Sequence, residues 1–228
     1  MSALLVIFIL AVAALVLQLG NQQQRLEGQQ ESFTEQVNSL REAETVRAEM
    51  LHEIQDDLKD QGIEVYISEN NSVISIPSEL LGFDKGSYDI KDEYRDVSLE
   101  IGSAVSKAVQ QDDRSKYLDT VFVEGHTDNA DFSGLEGTGN WGLSTFRAIS
   151  LWTLWEEELS QEQKLSELAS ADGNRLFSVS GYGETRPMTE DQATDTDRAL
   201  NRRIDLRFTT VRPDASELER IERLGEVE

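Results

Sequence analysis

Seventeen uncharged residues open the chain, MSALLVIFILAVAALVL, and Gln18, Leu19 and Gly20 follow them. A helix needs about 20 apolar residues to cross a bilayer core, with about 17 as the lower limit. Such a stretch has three outlets: a membrane span, a cleaved secretory signal, or a buried core helix. A signal opens on a basic n-region; none precedes this run, although Ala11–Ala13 has the small-residue pattern of a cleavage site. A core helix needs apolar partners, yet the next forty residues are strongly polar. The expectation is a membrane anchor over residues 1–20. No Lys/Arg cluster flanks it to set its orientation, the first basic residue being Arg25.

Residues 21–60 are rich in Gln and Glu and contain no proline. Leu19, Leu26, Phe33, Leu40 and Ile54 share one heptad position, broken only by Arg47. Val37, Leu51 and Leu58 share the companion position with Gln23, Gln30 and Glu44. A seam half-filled in this way predicts a helical spacer or a weak parallel coiled coil. Fully helical, forty residues reach ~60 Å at about 1.5 Å per residue.

After Gln61 the periodicity changes. IEVYI and SVISI alternate around SENN, a hairpin signal. Tyr94, Val97, Ile101, Ala104, Val105 and Ala108 fall at helical spacing, DTVFVEG reads as a buried strand, and Ala148, Leu151, Trp152, Trp155 and Leu159 stripe a second helix. LFSVSGYG alternates again, and RRIDLRF has period two, with Ile204, Leu206 and Phe208 inward and Arg203, Asp205 and Arg207 outward. Strands alternating with helices predict an α/β (α+β) sandwich, a mixed sheet with helices on one face, over residues 61–212. A charged tail occupies 213–228.

A net charge of -23 excludes a nucleic-acid partner, because phosphate binding needs clustered Lys/Arg. It equally disfavours an anionic bilayer surface. The absence of cysteine removes disulfides, thiolate metal sites and cysteine nucleophiles.

The chemistry concentrates in GHTDNADFSGLEGTGNWGLSTFR, residues 125–147. GHTD ends a buried strand and NWGLSTFR starts the following helix, where Asn140, Ser144 and Arg147 share one face. An aspartate and an arginine across a rim suit a zwitterion, the guanidinium forking onto a carboxylate and Asp128 taking an ammonium. The same spacing equally allows Asp128 and Arg147 to bond one another. Enzyme readings fare worse. His126 has no second histidine nearby for a metal, no G-x-S-x-G elbow exists, and GTGNWG lacks the GK[ST] ending of a phosphate loop. Neither a catalytic residue, a metal nor a cofactor is expected, and His126 reads as a structural hydrogen-bonding residue.

Four blocks in order, VEGHTDNA, NWGLSTFRA, VSGYGETRP and RALNRRIDLRF, resemble the OmpA-like peptidoglycan-binding domain, and SVISIPSELLGFDKGSYDI resembles its opening strand and loop. The resemblance spans roughly residues 61–210. It implies a peptidoglycan partner, recognised through the diaminopimelate of the stem peptide. By that resemblance Asp128 receives the ligand ammonium, Arg147 clamps its carboxylate and Asn140 supports the rim. Phe83, Asp84, Thr127, Asn201 and Arg202 take secondary roles, and Arg203 closes the strand end with Asn201 and Arg202. ADFSGLEGTG is a longer insertion than the family's usual spacing, placed to lie over the pocket.

The aromatic in NWGLS and the order anchor, spacer, domain are similar to MotB-like stator subunits, and the insertions resemble ZorB, the MotB-like subunit of the Zorya anti-phage system. That resemblance implies a single-pass inner-membrane protein with a periplasmic C-terminal domain. It also implies a homodimer and a multi-helix MotA/ZorA-like membrane partner in a proton-driven motor. A flagellar stator and a passive peptidoglycan tether are the alternatives. In MotB-like subunits an aspartate near the cytoplasmic end of the helix carries protons; here no Asp or Glu precedes Glu27. The expectation is that Met1 is an internal methionine and that the aspartate lies upstream. The chain has no native cysteine, so one introduced thiol reports only on itself. Leu26→Cys is expected to crosslink to its copy in oxidised membranes; a purely monomeric product, with insertion verified, contradicts the seam.

Overall fold

A computed structural model describes residues 2–134 and 137–212; the tail read at 213–228 lies outside the described residues. Helix α1 runs Ser2–Asp60, as expected of a proline-free run of good helix formers. Its most apolar 18-residue window has a mean hydropathy of 2.8 and none of it is buried, so by length and composition the helix can cross a membrane.

Residues 43–211 form one compact unit. From Ala43 onward α1 belongs to its core: Met50, Leu51, Ile54 and Leu58 are fully enclosed with the apolar residues of the sheet. Three residues assigned to the heptad seam, Leu51, Ile54 and Leu58, therefore pack inward and are closed to a second helix. Leu19, Leu26 and Phe33 stay exposed. The pattern misled because a core stripe and a coiled-coil seam differ only between periods of 3.6 and 3.5, too little to separate over two or three turns. Arg47, the polar exception, has its own task. Its Nε donates to the Asn71 carbonyl at 2.9 Å and Nη2 to that of Asn70 at 3.3 Å, pinning the hairpin turn. Gln55 reaches the Val65 carbonyl at 2.8 Å. Arg114 pairs with Glu53 at 2.6 Å and Lys107 with Asp57 at 2.7 Å.

The sheet has five strands in the order β1-β2-β5-β3-β4. Strands β1 (Tyr66–Ile67) and β2 (Val73–Pro77) form the expected hairpin. Strand β3 (Leu118–His126) runs antiparallel to β5 (Arg203–Thr210) and parallel to β4 (Phe177–Gly181). Helices α2 (Arg95–Gln110) and α3 (Gly139–Glu158) share one core with Ile74, Ile76, Val121, Val123, Ile204, Leu206 and Phe208. Trp155 locks the two helices: fully buried, it donates from Nε1 to the Ser98 carbonyl at 2.6 Å. A short helix, α4 (Asp195–Asn201), precedes β5 and was not anticipated. It is started by a reciprocal cap in which Thr194 Oγ1 accepts from the Asp197 amide at 3.1 Å while the Asp197 carboxylate accepts from the Thr194 amide at 3.0 Å. The opposite face of β5 corrects a second expectation. Arg203 and Asp205, read as outward, are buried at 7% and 4% exposure, because they bond to one another and to neighbours on that face.

The compact unit thus begins near residue 43. A fragment 43–212 is expected to unfold cooperatively in urea, and Leu51→Ala within it to lose about 2–5 kcal/mol, the usual range for emptying a core leucine. A fragment 61–212 that melts as cooperatively and at the same midpoint contradicts this boundary.

Candidate functional site

The site is built where β3 ends. Gly125 lets α3 come down on that end: a Cβ there would lie 1.9 Å from the Ser144 carbonyl oxygen. Ser144 is consumed by this contact. It is fully buried, its Oγ accepting from the Gly183 amide at 2.9 Å and donating to the Trp141 carbonyl at 3.0 Å. The first turns of α3 consequently hold Asn140 and Arg147 beside Thr127 and Asp128.

These residues line a cavity of about 390 Å³, together with Phe83, Asp84 and Arg202. Seven of the eight residues expected at the site are therefore brought together. Asn201 is not. It is fully buried, its Oδ1 accepting from the amides of Met188 at 2.7 Å and Thr189 at 3.2 Å, and its Nδ2 donating to the Thr189 carbonyl at 2.9 Å. Its work is to fold the loop before α4. Ser78, Lys85, Asp131, Phe132, Asp195 and Arg198 also line the cavity and were missed. The cap signal in TDTD, residues 194–197, announces the helix carrying Asp195 and Arg198.

Arg147 is 3% exposed. Its Nε donates to the Ser87 carbonyl at 2.9 Å, Nη2 donates to that of Asp84 at 3.1 Å, and the guanidinium lies 5.1 Å from the centre of the Phe83 ring. Among the described residues no carboxylate stands within ion-pair distance of it. Burial pushes its pKa down to about 10, against the pull of Asp128 and with the help of Arg202. Asp128 bonds instead to Arg202, Oδ2 to Nη1 at 2.7 Å, and its Oδ1 accepts the Ala130 amide at 3.1 Å. The direct Asp128–Arg147 bridge left open by the sequence does not form. Asn140 donates to the Ala130 carbonyl at 3.0 Å, tethering the insertion rather than presenting its amide. Two buried hydroxyls in the wall, Ser78 Oγ and Thr127 Oγ1, have no hydrogen-bond partner among the described residues.

Beneath the strand ends lies an ionic layer. Glu124, 1% exposed, accepts from Arg207 Nε at 3.0 Å and Nη2 at 2.8 Å. Asp205 accepts from Arg203 Nε at 3.0 Å and from Ser75 Oγ at 2.7 Å. His126, stacked on Tyr182 with centroids 5.5 Å apart, brings Nε2 within 3.2 Å of Asp205 Oδ2, close but poorly aligned for a hydrogen bond. Glu124, His126 and Asp205 place their ligand-type atoms within 4.8 Å of one another, a grouping that the search for a second histidine overlooked. Each carboxylate already faces a guanidinium, so the layer is balanced and a dication would meet two arginines. Burial alone would raise the Asp205 carboxyl; His126, the Arg203 charge and the Ser75 hydroxyl reverse this and hold it below the usual carboxylate range.

A mixed five-stranded sheet with its cavity at the end of a central strand, walled by the helix that follows, is an OmpA-like fold. The OmpA family model matches residues 82–202, more than half of the chain, and the chain belongs to the OmpA family. Among solved structures it is similar to a putative MotB-like protein from Desulfovibrio vulgaris, with 17% identity over 75% of this chain and 99% of that one, TM-score 0.54. It is also similar to a periplasmic domain of Helicobacter pylori MotB, with 19% identity over 71% of this chain and 99% of that one, TM-score 0.52. At these identities the likeness is one of fold. Among curated proteins no sequence match is found.

Because its folded-state pKa is depressed, Asp205 contributes stability above about pH 4, the unfolded carboxylate range, and that contribution is lost as pH falls through the folded value. Asp205→Asn leaves Arg203 buried without its counter-charge and is expected to cost about 3–5 kcal/mol at neutral pH. Urea melts of variant and parent should converge in acid, where both side chains are neutral. A gap that stays constant down to acid pH contradicts the ionic role.

Proposed function

We propose that the chain is a wall-anchored, single-pass inner-membrane protein whose C-terminal unit binds the diaminopimelate of peptidoglycan from the periplasm. One observation carries this reading: Arg147 is a buried guanidinium with spare donors and, among the described residues, no carboxylate of its own. Burying a charge without a partner is costly, and a ligand carboxylate is the natural complement of its planar fork. The Asp128–Arg202 pair on the same wall offers the polar surface for an ammonium. Membership of the OmpA family and the MotB-like fold support the wall as the source of that ligand.

The apolar start of α1 and the MotB-like fold extend the reading to a stator-type subunit. Two copies would stand beside a MotA/ZorA-like multi-helix membrane protein in a proton-driven motor. The insertions around α3 favour the ZorB kind, serving anti-phage defence, over a flagellar stator. A passive tether, which needs only the wall-binding step, is the second reading. Both readings share the wall-binding step.

Sedimentation with purified sacculi tests that step. Sacculi containing diaminopimelate are expected to retain the chain, and sacculi built on lysine to release it. Arg147→Ala and Asp128→Ala should each cost on the order of 1.5–3 kcal/mol of binding, as for a lost charge-assisted hydrogen bond. Undiminished pelleting of both variants, with their melts intact, would sink the assignment.

A further inference from the structure

From residue 3 to residue 31 every position of α1 is exposed. Further along, Gln36, Val37 and Leu40 are half-buried, and Gln36 Nε2 is enclosed with no hydrogen-bond partner among the described residues. A lone helix does not shield its own side chains in this way: Leu26 and Phe33, at the heptad position of Leu40, are 64% and 65% exposed. The core of the compact unit does not supply the cover. It reaches up α1 only to Ala43, and neither Val37 nor Leu40 packs against it. The structure is of one chain, so the cover belongs to that chain.

The chain beyond β5 is placed to reach this stripe. Arg47 of α1 holds the carbonyls of Asn70 and Asn71, and the Phe208 amide donates to the carbonyl of Ser72, the next residue, at 2.9 Å. Strand β5 therefore leaves the sheet beside α1, close to Arg47. Sixteen residues follow Arg212, PDASELERIERLGEVE. Ala215, Leu218, Ile221 and Leu224 recur at every third position, Asp214 and Glu217 have the spacing of a reciprocal N-terminal cap, and Gly225 follows the last of the apolar series as a stop. The pattern predicts a helix over 215–224, about 15 Å long at about 1.5 Å per residue. Laid back along α1 from Arg47, that length reaches to about residue 37, and the half-buried stripe lies there.

We propose that residues 215–224 form a short helical strap that lies antiparallel on α1, with Leu218, Ile221 and Leu224 against Leu40, Val37 and the stem of Gln36. The strap is additional to the compact unit of residues 43–211. Its consequence is steric. A second copy of the chain is kept from α1 at Leu40 and meets the helix only at earlier, exposed positions such as Leu26 and Phe33.

Introduced thiols test the contact in the full chain in detergent, because the sequence has no native cysteine to confuse them. Leu40→Cys is combined in turn with Leu218→Cys, Ile221→Cys and Leu224→Cys, and each pair is oxidised. At least one pair is expected to close a disulfide within the chain, since such a bond forms only when the Cα atoms come within about 7 Å. In a mixture of isotopically labelled and unlabelled copies, the linked peptides then carry matching labels. Leu26→Cys in place of Leu40→Cys should link to none of the three. On its own, Leu40→Cys should react with a maleimide more slowly than Leu26→Cys. Ile221→Asp should speed it about tenfold, as the loss of one buried isoleucine allows, and leave the rate at Leu26→Cys unchanged. Links at Leu40→Cys that form only between copies, tail links as ready at Leu26→Cys, no link from any of the three pairs, or a labelling rate indifferent to Ile221→Asp would each overturn the strap.

Discussion

The antiparallel pairing of β3 with β5 is the constraint on which the rest of the molecule depends. It aligns Val121, Val123, Leu206 and Phe208 on one face, where α2, α3 and the end of α1 close over them. By the two-residue period of a strand, the same register stacks Glu124 beside Asp205 and His126 beside Arg203 on the other. One face is held by exclusion of water and the other by matched charge. Where the two strands stop, their next residues are Thr127 and Asp128 on one side and Arg202 on the other, already bonded across the gap at 2.7 Å. The cavity wall is thus the continuation of the central ladder.

A sheet of this kind was legible where one physical rule acts alone. Ile204, Leu206 and Phe208 alternate cleanly, and all three are fully buried as period two requires. The rule failed where charge and burial coincide. Arg203 and Asp205 read as solvent-facing because polar residues usually are; their bond to one another along β5, with Ser75 of β2 donating to Asp205, makes their burial tolerable. Arg47 looked like a flaw in a seam and is a clamp on a turn 24 residues away. Helix α4 was hidden by its length, too short for any periodicity to show.

The cavity was legible in outline for a different reason. Asn140, Ser144 and Arg147 are one helix face by spacing, so their approach to the strand end followed from local geometry. Spacing did not show how that face is divided. Ser144 turns to the loop after β4 and Asn140 to the insertion, leaving Arg147 as the residue of that face with donors to spare. The partners of the acidic residues were equally out of reach, since Asp128 finds Arg202 across 74 positions. Which charges find partners is a property of the folded inventory.

The stretch that carries the family likeness and the stretch that coheres are not the same. The likeness covers 82–202, while the compact unit runs from Ala43 to Val211. Between their starting points lie β2, which borders β5 over five paired residues, and the four helix residues sunk in the core. A recombination event breaking the gene at the edge of the likeness would transplant the cavity wall without the strand and helix that keep it solid. Breaks upstream of Ala43 carry the whole assembly. The segment before Ala43 is therefore free to be exchanged over evolutionary time, whereas the last turns of the helix are inherited with the wall.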